Sequence, residues 1–199
     1  MANFRNLKKQ EMDFVGGYMA FMGCFRRRGD GMDGPQIGED YKKALSEAGN
    51  WGCYIYMQGE TIPKETNRVY LSKDKKDDWG IPLLVTDVAY DHNDELLLKD
   101  FLVQASETLS EAGVKDIHTA DNHWAPGRDI HEMGGCRMGK DPNTSLLNGW
   151  NQMHACKNVF VTDGACMTST ANQSPSILYM ALTARAAGFA VGELKKRNI

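Results

Sequence analysis

The rhythm of apolar and polar positions changes several times along the chain. Residues 1–40 carry glycines at 16, 17, 23, 29, 31, 34 and 38 and hold no sustained period. That stretch predicts loop or extended chain laid over another unit. A short helix is expected from Asp40 to Ala48, closed by Gly49. A period of two then takes over. WGCYIYMQGE (51–60) alternates and is rich in aromatics, RVYLS (68–72) is short, and LLVTDVAY (83–90) is rich in β-branched residues. KDKKDDWGIP (73–82) separates the last two as a charged turn, so the pattern predicts an antiparallel meander.

The period lengthens to that of a helix after Asn93 or Asp94, either of which suits a cap. Leu97, Phe101, Ala105 and Leu109 form its stripe and Gly113 its stop. VKDIHTA (114–120) reads as a further strand. Residues 121–158 show little period and much Gly, His, Trp and Asn, and NVFVTDG (158–164) reads as a buried strand ending in a turn. SPSILYMALTARAAGFAVGELKKRN (174–198) is the strongest helix in the pattern. Pro175 stands in its first turn and Lys195, Lys196 and Arg197 at its negative end. Its alanines predict close packing on a sheet.

Composition narrows the class. The chain has 199 residues, 42% apolar and 25% charged, with a formal net charge of −3. Such a chain buries roughly 70% of its unfolded surface and is not disordered. No apolar run approaches the ~18 residues of a membrane span, and a near-neutral balance argues against nucleic acid as a partner. The N-terminus lacks an apolar signal segment, so a cytoplasmic or periplasmic setting is expected, with the cytoplasm favoured. Five cysteines at long spacings, an odd number with no C-x-x-C, read as free thiols. Arg26-Arg27-Arg28 reads as a solvated or acid-paired charge run.

Candidate chemistry is sparse at first. Gly29-Asp30-Gly31-Met32-Asp33-Gly34 has the letters of a dinucleotide fingerprint, but three arginines precede it and Pro35 follows, where a strand and a helix are required. Its two aspartates would also repel a pyrophosphate. His118, His123 and His131 with Cys136 match no zinc spacing, so no metal is expected. His92 reads as solvated and His154 as structural. The last seventy residues are richer. His131 precedes a Gly-Gly-x-Arg-Met-Gly loop, a strand ends at Asp163-Gly164-Ala165, and a second loop enters a helix at Ser174-Pro175. A strand end beside a helix start is where α/β proteins bind ligands, and the open N–H groups of that turn favour negative charge.

These residues carry a family likeness. The order H-x2-G-G-x-R-M-G-x-D-P, then N-V-F-V-x-D-G, a small-residue loop, a proline and a long Ala-rich helix resembles the C-terminal part of the glucose–methanol–choline (GMC) oxidoreductases. The nearest branch oxidises gluconate and other sugars or polyols. Residues 66–113 also resemble that family's substrate domain.

The resemblance implies FAD as cofactor and a small alcohol or sugar as substrate. It implies that His131 is the catalytic base. Asp163, Gly164 and Ala165 would lie along the ribityl and diphosphate part of FAD, and Pro175, Ser176 and Ile177 along the flavin's pyrimidine edge. Ser174 occupies the position where the family has Asn or His as its second catalytic side chain, with Asn172 two residues away. That departure opens a second reading, a non-catalytic domain that keeps the fold as a binding or subunit module.

The expected architecture is α+β: an antiparallel-sheet substrate domain plus the C-terminal strand and helix of a Rossmann-like FAD-binding domain. Residues 1–40 form a Gly-rich extended segment, 41–125 the substrate-binding domain and 126–199 the end of the FAD-binding domain. The family's phosphate-binding fingerprint belongs near the start of a much longer chain. The resemblance therefore implies a missing N-terminal FAD-binding portion, and an isolated chain that is inactive and holds FAD poorly.

Overall fold

One face of a β-hairpin packed on one stripe of a helix forms the larger core of this molecule. A computed structural model describes residues 5–28, 37–170 and 172–199. The elements run β1 (Tyr18–Arg28), α1 (Glu39–Ser46), β2 (Ala48–Gly59), β3 (Arg68–Lys76), β4 (Pro82–Asp87), α2 (His92–Glu111), a 3-10 turn (Gly164–Cys166) and α3 (Ser176–Lys195). The class is α+β with small antiparallel sheets.

β1 and β2 pair antiparallel, from Tyr18 opposite Gly59 to Arg26 opposite Trp51. Tyr18 and Ala20 share the inner face, where Phe14 and the α2 residues Leu97 and Phe101 join them in a buried cluster. The Tyr18 and Phe101 rings meet edge to face at 5.7 Å. Gly59 permits the contact, because a Cβ there would stand 2.7 Å from Leu97 Cδ2. The first forty residues thus contribute a paired strand where the sequence predicts loop or extended cover. Apolar residues fall on both faces of β1 (Tyr18, Ala20 and Met22 against Met19, Phe21 and Phe25), which erases the period of two.

The Tyr18 hydroxyl is buried and donates to Asp100 at 2.7 Å. The Arg5 guanidinium donates to the same carboxylate through two bonds of 2.8 and 2.9 Å. Burial works to raise the Asp100 pKa. The bonds from Arg5 and Tyr18 outweigh it and hold the carboxyl below its ordinary value. Burial, and then the bond to Asp100, push the Tyr18 phenol well up. Asn6 closes the chain between them, its amide donating to the Phe14 and Gly16 carbonyls at 2.7 and 2.8 Å.

The expected meander is two separate hairpins. β3 and β4 form their own two-stranded sheet, from Arg68 opposite Asp87 to Lys76 opposite Pro82. The charged segment read as turn continues the strand to Lys76. The turn itself is built on Asp77, whose carboxylate accepts the N–H groups of Trp79 and Ile81 at 3.0 and 2.8 Å. Between the sheets, Asn67 exchanges bonds with the backbone of Ala89 and Lys64 donates to the Ala89 carbonyl at 2.7 Å. That clasp turns the chain away from β2. The α2 cap is Asp91, two residues before Asn93 and three before Asp94. Its carboxylate accepts the N–H groups of Asn93 and Asp94 while Asp94 returns a bond to the Asp91 N–H. Gly113, at φ 79°, ends the helix as expected.

Three further expectations are corrected. Residues 114–120 form no strand. Residues 158–164 form a single bridge, Gln152 with Phe160, rather than a strand. The segment 151–153 that bonds to them bends at Asn151, whose φ of 62° is left-handed, so the two chains meet at isolated points. The sheets among the described residues are β1–β2 and β3–β4. Helix α3 forms, but no sheet lies under it there. Its contacts are Tyr179 and Leu182 against a second small core, Ala186 buried, and Phe189 stacked on Trp150 at 5.0 Å. By length and composition α3 is also long and apolar enough to cross a membrane, with a mean hydropathy of 1.3, although the pattern of apolar runs predicts no span. Its mid-helix Arg185 donates to Asn151 at 3.0 Å, a cation that hydrocarbon would penalise heavily.

Two changes test the larger core. Leu97→Ala is expected to lower the unfolding free energy by about 2–5 kcal/mol in urea titration. Asp100→Asn is expected to cost about 1–3 kcal/mol at pH 7. Because the folded Asp100 pKa lies below the unfolded one, its contribution is present above the ordinary value of 3.8 and is lost as pH falls through the folded pKa. The difference between the native chain and Asp100→Asn should therefore shrink at acid pH.

Candidate active site

The Gly-Gly loop and the Asp-Gly-Ala turn, thirty residues apart in sequence, lie side by side. The N–H groups of Gly134, Cys136 and Met138 donate to the carbonyls of Gly164, Ala165 and Cys166 at 3.2, 3.0 and 3.1 Å. Gly134 and Gly135 have φ of 91° and 92°, left-handed values that glycine adopts without strain. The Asp163 carboxylate accepts the Ala165 N–H at 3.0 Å and so forms the turn. Cys166 and Met167 then enter a small core with Leu147, and burial pushes the Cys166 thiol up.

Gly164 is the closest point of this assembly. A Cβ there would stand 2.6 Å from the Glu132 carbonyl oxygen and 2.9 Å from the Tyr179 hydroxyl. Tyr179 lies near the start of α3, and its hydroxyl also reaches Met133 Sδ at 3.7 Å. The chain immediately after His131, the Asp163–Ala165 turn and the start of α3 therefore meet at one glycine.

His131 itself is half-buried, and its Nδ1 contacts the side-chain amide of Gln58 on β2. Gln58 stands on the outer face of the hairpin. From it runs a row of aromatic rings: Phe21 on Tyr56 at 5.2 Å, Tyr56 beside Tyr54 at 6.1 Å, and Tyr54 beside Phe25 at 6.3 Å. Tyr54 and Phe25 lie over glycines of the opposite strand, since a Cβ at Gly23 or Gly52 would come within 2.5 or 2.7 Å of those rings. The second loop reaches the same end of the hairpin, where the Ser169 hydroxyl donates to the Glu60 carboxylate.

The other candidate residues are more open. Ser174 is exposed. Asn172 is only 3% exposed, and its side-chain carbonyl accepts from Gln173 at 3.0 Å. Pro175 is buried at the N-cap of α3, which has no side-chain cap. Ser176 and Ile177 are exposed, so the first-turn N–H groups are not covered by a capping side chain. Gln58 and the aromatic row were not singled out by sequence as site residues. The signal was the alternation of WGCYIYMQGE, but alternation does not say which face meets His131.

Other motifs resolve differently. His154 lies 3.2 Å from the Gly139 carbonyl oxygen and 3.3 Å from the Ser145 hydroxyl, a structural setting. His92 and His123 pair with Glu95 and Asp121 on the surface. Among the described residues no three His, Cys, Asp or Glu side chains gather as metal ligands. Arg26 and Arg28 bond backbone carbonyls rather than acids, Arg28 reaching those of Leu45 and Ser46 at the end of α1. The G-x-G-x-x-G at 29–34 lies outside the described residues. A cleft of about 2070 Å³ opens between β2, α2 and residues 113–126; Tyr54, Tyr56 and Gln58 line it, and His131 is not in its walls. His131 thus borders that cleft through Gln58, which lines it.

A family model described as GMC oxidoreductase matches residues 63–183. The chain is 31% identical over 155 residues to 2-methyl-1,2-propanediol dehydrogenase of Mycolicibacterium austroafricanum, covering 76% of this chain and 27% of that protein. It is 33% identical over 148 residues to paromamine 6'-oxidase of Streptomyces fradiae, covering 72% and 27%. It is 29% identical over 174 residues to the large subunit of fructose dehydrogenase of Gluconobacter japonicus, covering 83% and 29%. The chain thus spans little more than a quarter of the length of these curated relatives.

Gly164→Ala tests the meeting point. The added methyl has backbone on one side and a tyrosine hydroxyl on the other, so a loss of about 1–3 kcal/mol in thermal or urea unfolding is expected. An unchanged midpoint would show that the loop gives way freely.

Proposed function

The chain belongs to the GMC oxidoreductase family, and from that premise we propose that it is the C-terminal part of an FAD-dependent dehydrogenase acting on a CH–OH group of a sugar, polyol or related alcohol. The observation that carries this reading is the convergence at Gly164 of the His131 loop, the Asp163–Ala165 turn and the start of α3. Residues 126–199 would complete an FAD-binding domain with chain outside this sequence, and residues 41–125 would form the substrate domain. The exposed apolar residues of α3, Ile177 at 80% and Met180 at 71%, support such a covering.

The residues present suit FAD as one wall of its site. An α3 start without a side-chain cap offers N–H groups and the positive end of a helix dipole, which favour electron-rich or anionic groups. Pro175, Ser176 and Ile177 would hold the pyrimidine edge, and Asp163, Gly164 and Ala165 the ribityl and diphosphate portion. When bound, FAD supplies the hydride acceptor.

His131 takes the substrate hydroxyl proton. The Gln58 amide at Nδ1 selects which ring nitrogen is available. It is the amide nitrogen that faces Nδ1; donating there it leaves the ring proton on Nε2, and Nε2 becomes the accepting nitrogen only when the Gln58 amide turns to present its carbonyl oxygen. The aromatic row beyond Gln58 offers flat apolar surface to the C–H face of a sugar or polyol, and the hydroxyls of Tyr54 and Tyr56 offer hydrogen bonds.

One observation favours the second reading, a non-catalytic domain. Ser174 is exposed and its short hydroxyl stands where the family has an amide or imidazole, while Asn172 is buried against Gln173.

In the complete flavoprotein, His131→Ala should cut turnover by about 10²–10⁴-fold, and unchanged turnover would remove His131 as the base. Bleaching of bound flavin by any member of a sugar and polyol panel supports a dehydrogenase; bound flavin that no member bleaches supports the non-catalytic reading. The isolated 199-residue chain should bind FAD weakly, and tight stoichiometric binding in a fluorescence titration would contradict the proposed division of the site.

A further inference from the structure

Two of the five thiols face each other across the hairpin. Cys24 on β1 is the direct antiparallel partner of Cys53 on β2. Direct partners project to the same face of a sheet. The ladder also tells which kind of pair this is. The Glu60 N–H donates to the Gly17 carbonyl at 3.2 Å, which marks 17 and 60 as a hydrogen-bonded pair. The register runs without a shift from Tyr18 opposite Gly59 to Arg26 opposite Trp51, and the two kinds of pair alternate. Cys24 and Cys53, seven positions along, therefore form a non-hydrogen-bonded pair. Cα atoms in such pairs lie about 4.5 Å apart, at the short end of the range a disulfide spans.

The surroundings leave the pair open to chemistry. Cys24 is exposed and Cys53 partly so, and both border the large cleft beside α2. Their neighbours on the same face are Met22 opposite Ile55 and Arg26 opposite Trp51. The inner end of that face carries Tyr18 and Ala20 into the core. The other three cysteines are differently placed: Cys166 is buried, Cys136 sits in the Gly-Gly loop, and Cys156 donates to Asn158 at 3.1 Å.

We propose that Cys24 and Cys53 are a modification site, forming a reversible cross-strand disulfide by exchange with a low-molecular-weight disulfide such as oxidised glutathione. The Cys24 thiolate attacks one sulfur of that disulfide and expels one thiolate, leaving a mixed disulfide. The Cys53 thiolate then attacks the Cys24 sulfur and expels the second. Two protein thiols are oxidised, one external disulfide is reduced to two thiols, and the two protein protons end on the released thiolates. The bond staples the outer half of the hairpin whose inner half carries Gln58 to His131. An exposed cross-strand bond of this kind belongs with the labile disulfides rather than the permanent ones.

The test uses the full chain incubated with oxidised glutathione, weighed intact, then alkylated and mapped by peptide. The expected result is a loss of about 2 Da, two fewer alkylated thiols and one peptide joining Cys24 to Cys53, all reversed by a dithiol reductant. Cys24→Ala and Cys53→Ala, made separately and checked by circular dichroism, should each abolish the loss and leave at most a glutathione adduct. A bond involving Cys136, Cys156 or Cys166 would overturn the proposal. So would a stable adduct on Cys24 that Cys53 does not resolve, or a bond between two chains.

Discussion

The burial of Tyr18 with its hydroxyl satisfied is the interaction on which the rest of this structure depends. A phenol with no exposed surface is tolerable because Asp100 accepts from it, and Asp100 stays ionised there because Arg5 supplies two bonds of its own. The triad ties the N-terminal segment, β1 and α2 together at one place. With the inner face of the hairpin held on α2, its outer face must point the other way. That geometry delivers Gln58 and the aromatic row to the side where His131 lies.

The second organising constraint is close approach rather than charge. Gly59 lets Leu97 reach the hairpin, and Gly164 lets the chain after His131 lie against the start of α3. At both positions a side chain would occupy space already filled by a neighbour. Gly134 and Gly135 serve differently, supplying the left-handed backbone that turns the loop alongside residues 164–166. The Gly-rich motif is thus two devices, one for packing and one for direction.

The proposed site has three surfaces of different character. The loop contributes a titratable imidazole, the hairpin contributes an amide and a row of rings, and the start of α3 contributes backbone N–H groups. The division of labour suits a family in which a bound cofactor carries the redox chemistry and the protein orients and polarises it. The outward apolar side of α3 and the absence of a sheet beneath it among the described residues fit the proposed covering by chain outside this sequence.

Much of this was legible in the residues alone. The helices announced themselves through period and punctuation: Gly113 after the Leu97–Leu109 stripe, Pro175 before the alanines. The order of His131, the Gly-Gly loop, Asp163-Gly164 and Pro175 was enough to identify the family that the matched region later showed. These signals are local, because helix stops, turns and motif spacing depend on neighbours in the chain. β1 was invisible because apolar residues on both of its faces leave no period. The meander split into two hairpins because the clasp of Lys64 and Asn67 on Ala89 joins residues more than twenty positions apart. Gln58 reached His131, and Cys24 reached Cys53, only through strand register, and residues 158–164 gained only one bridge because Asn151 bends the segment beside them. Pairing between distant segments is decided by which faces can be buried together, and that choice exists only once the chain has folded.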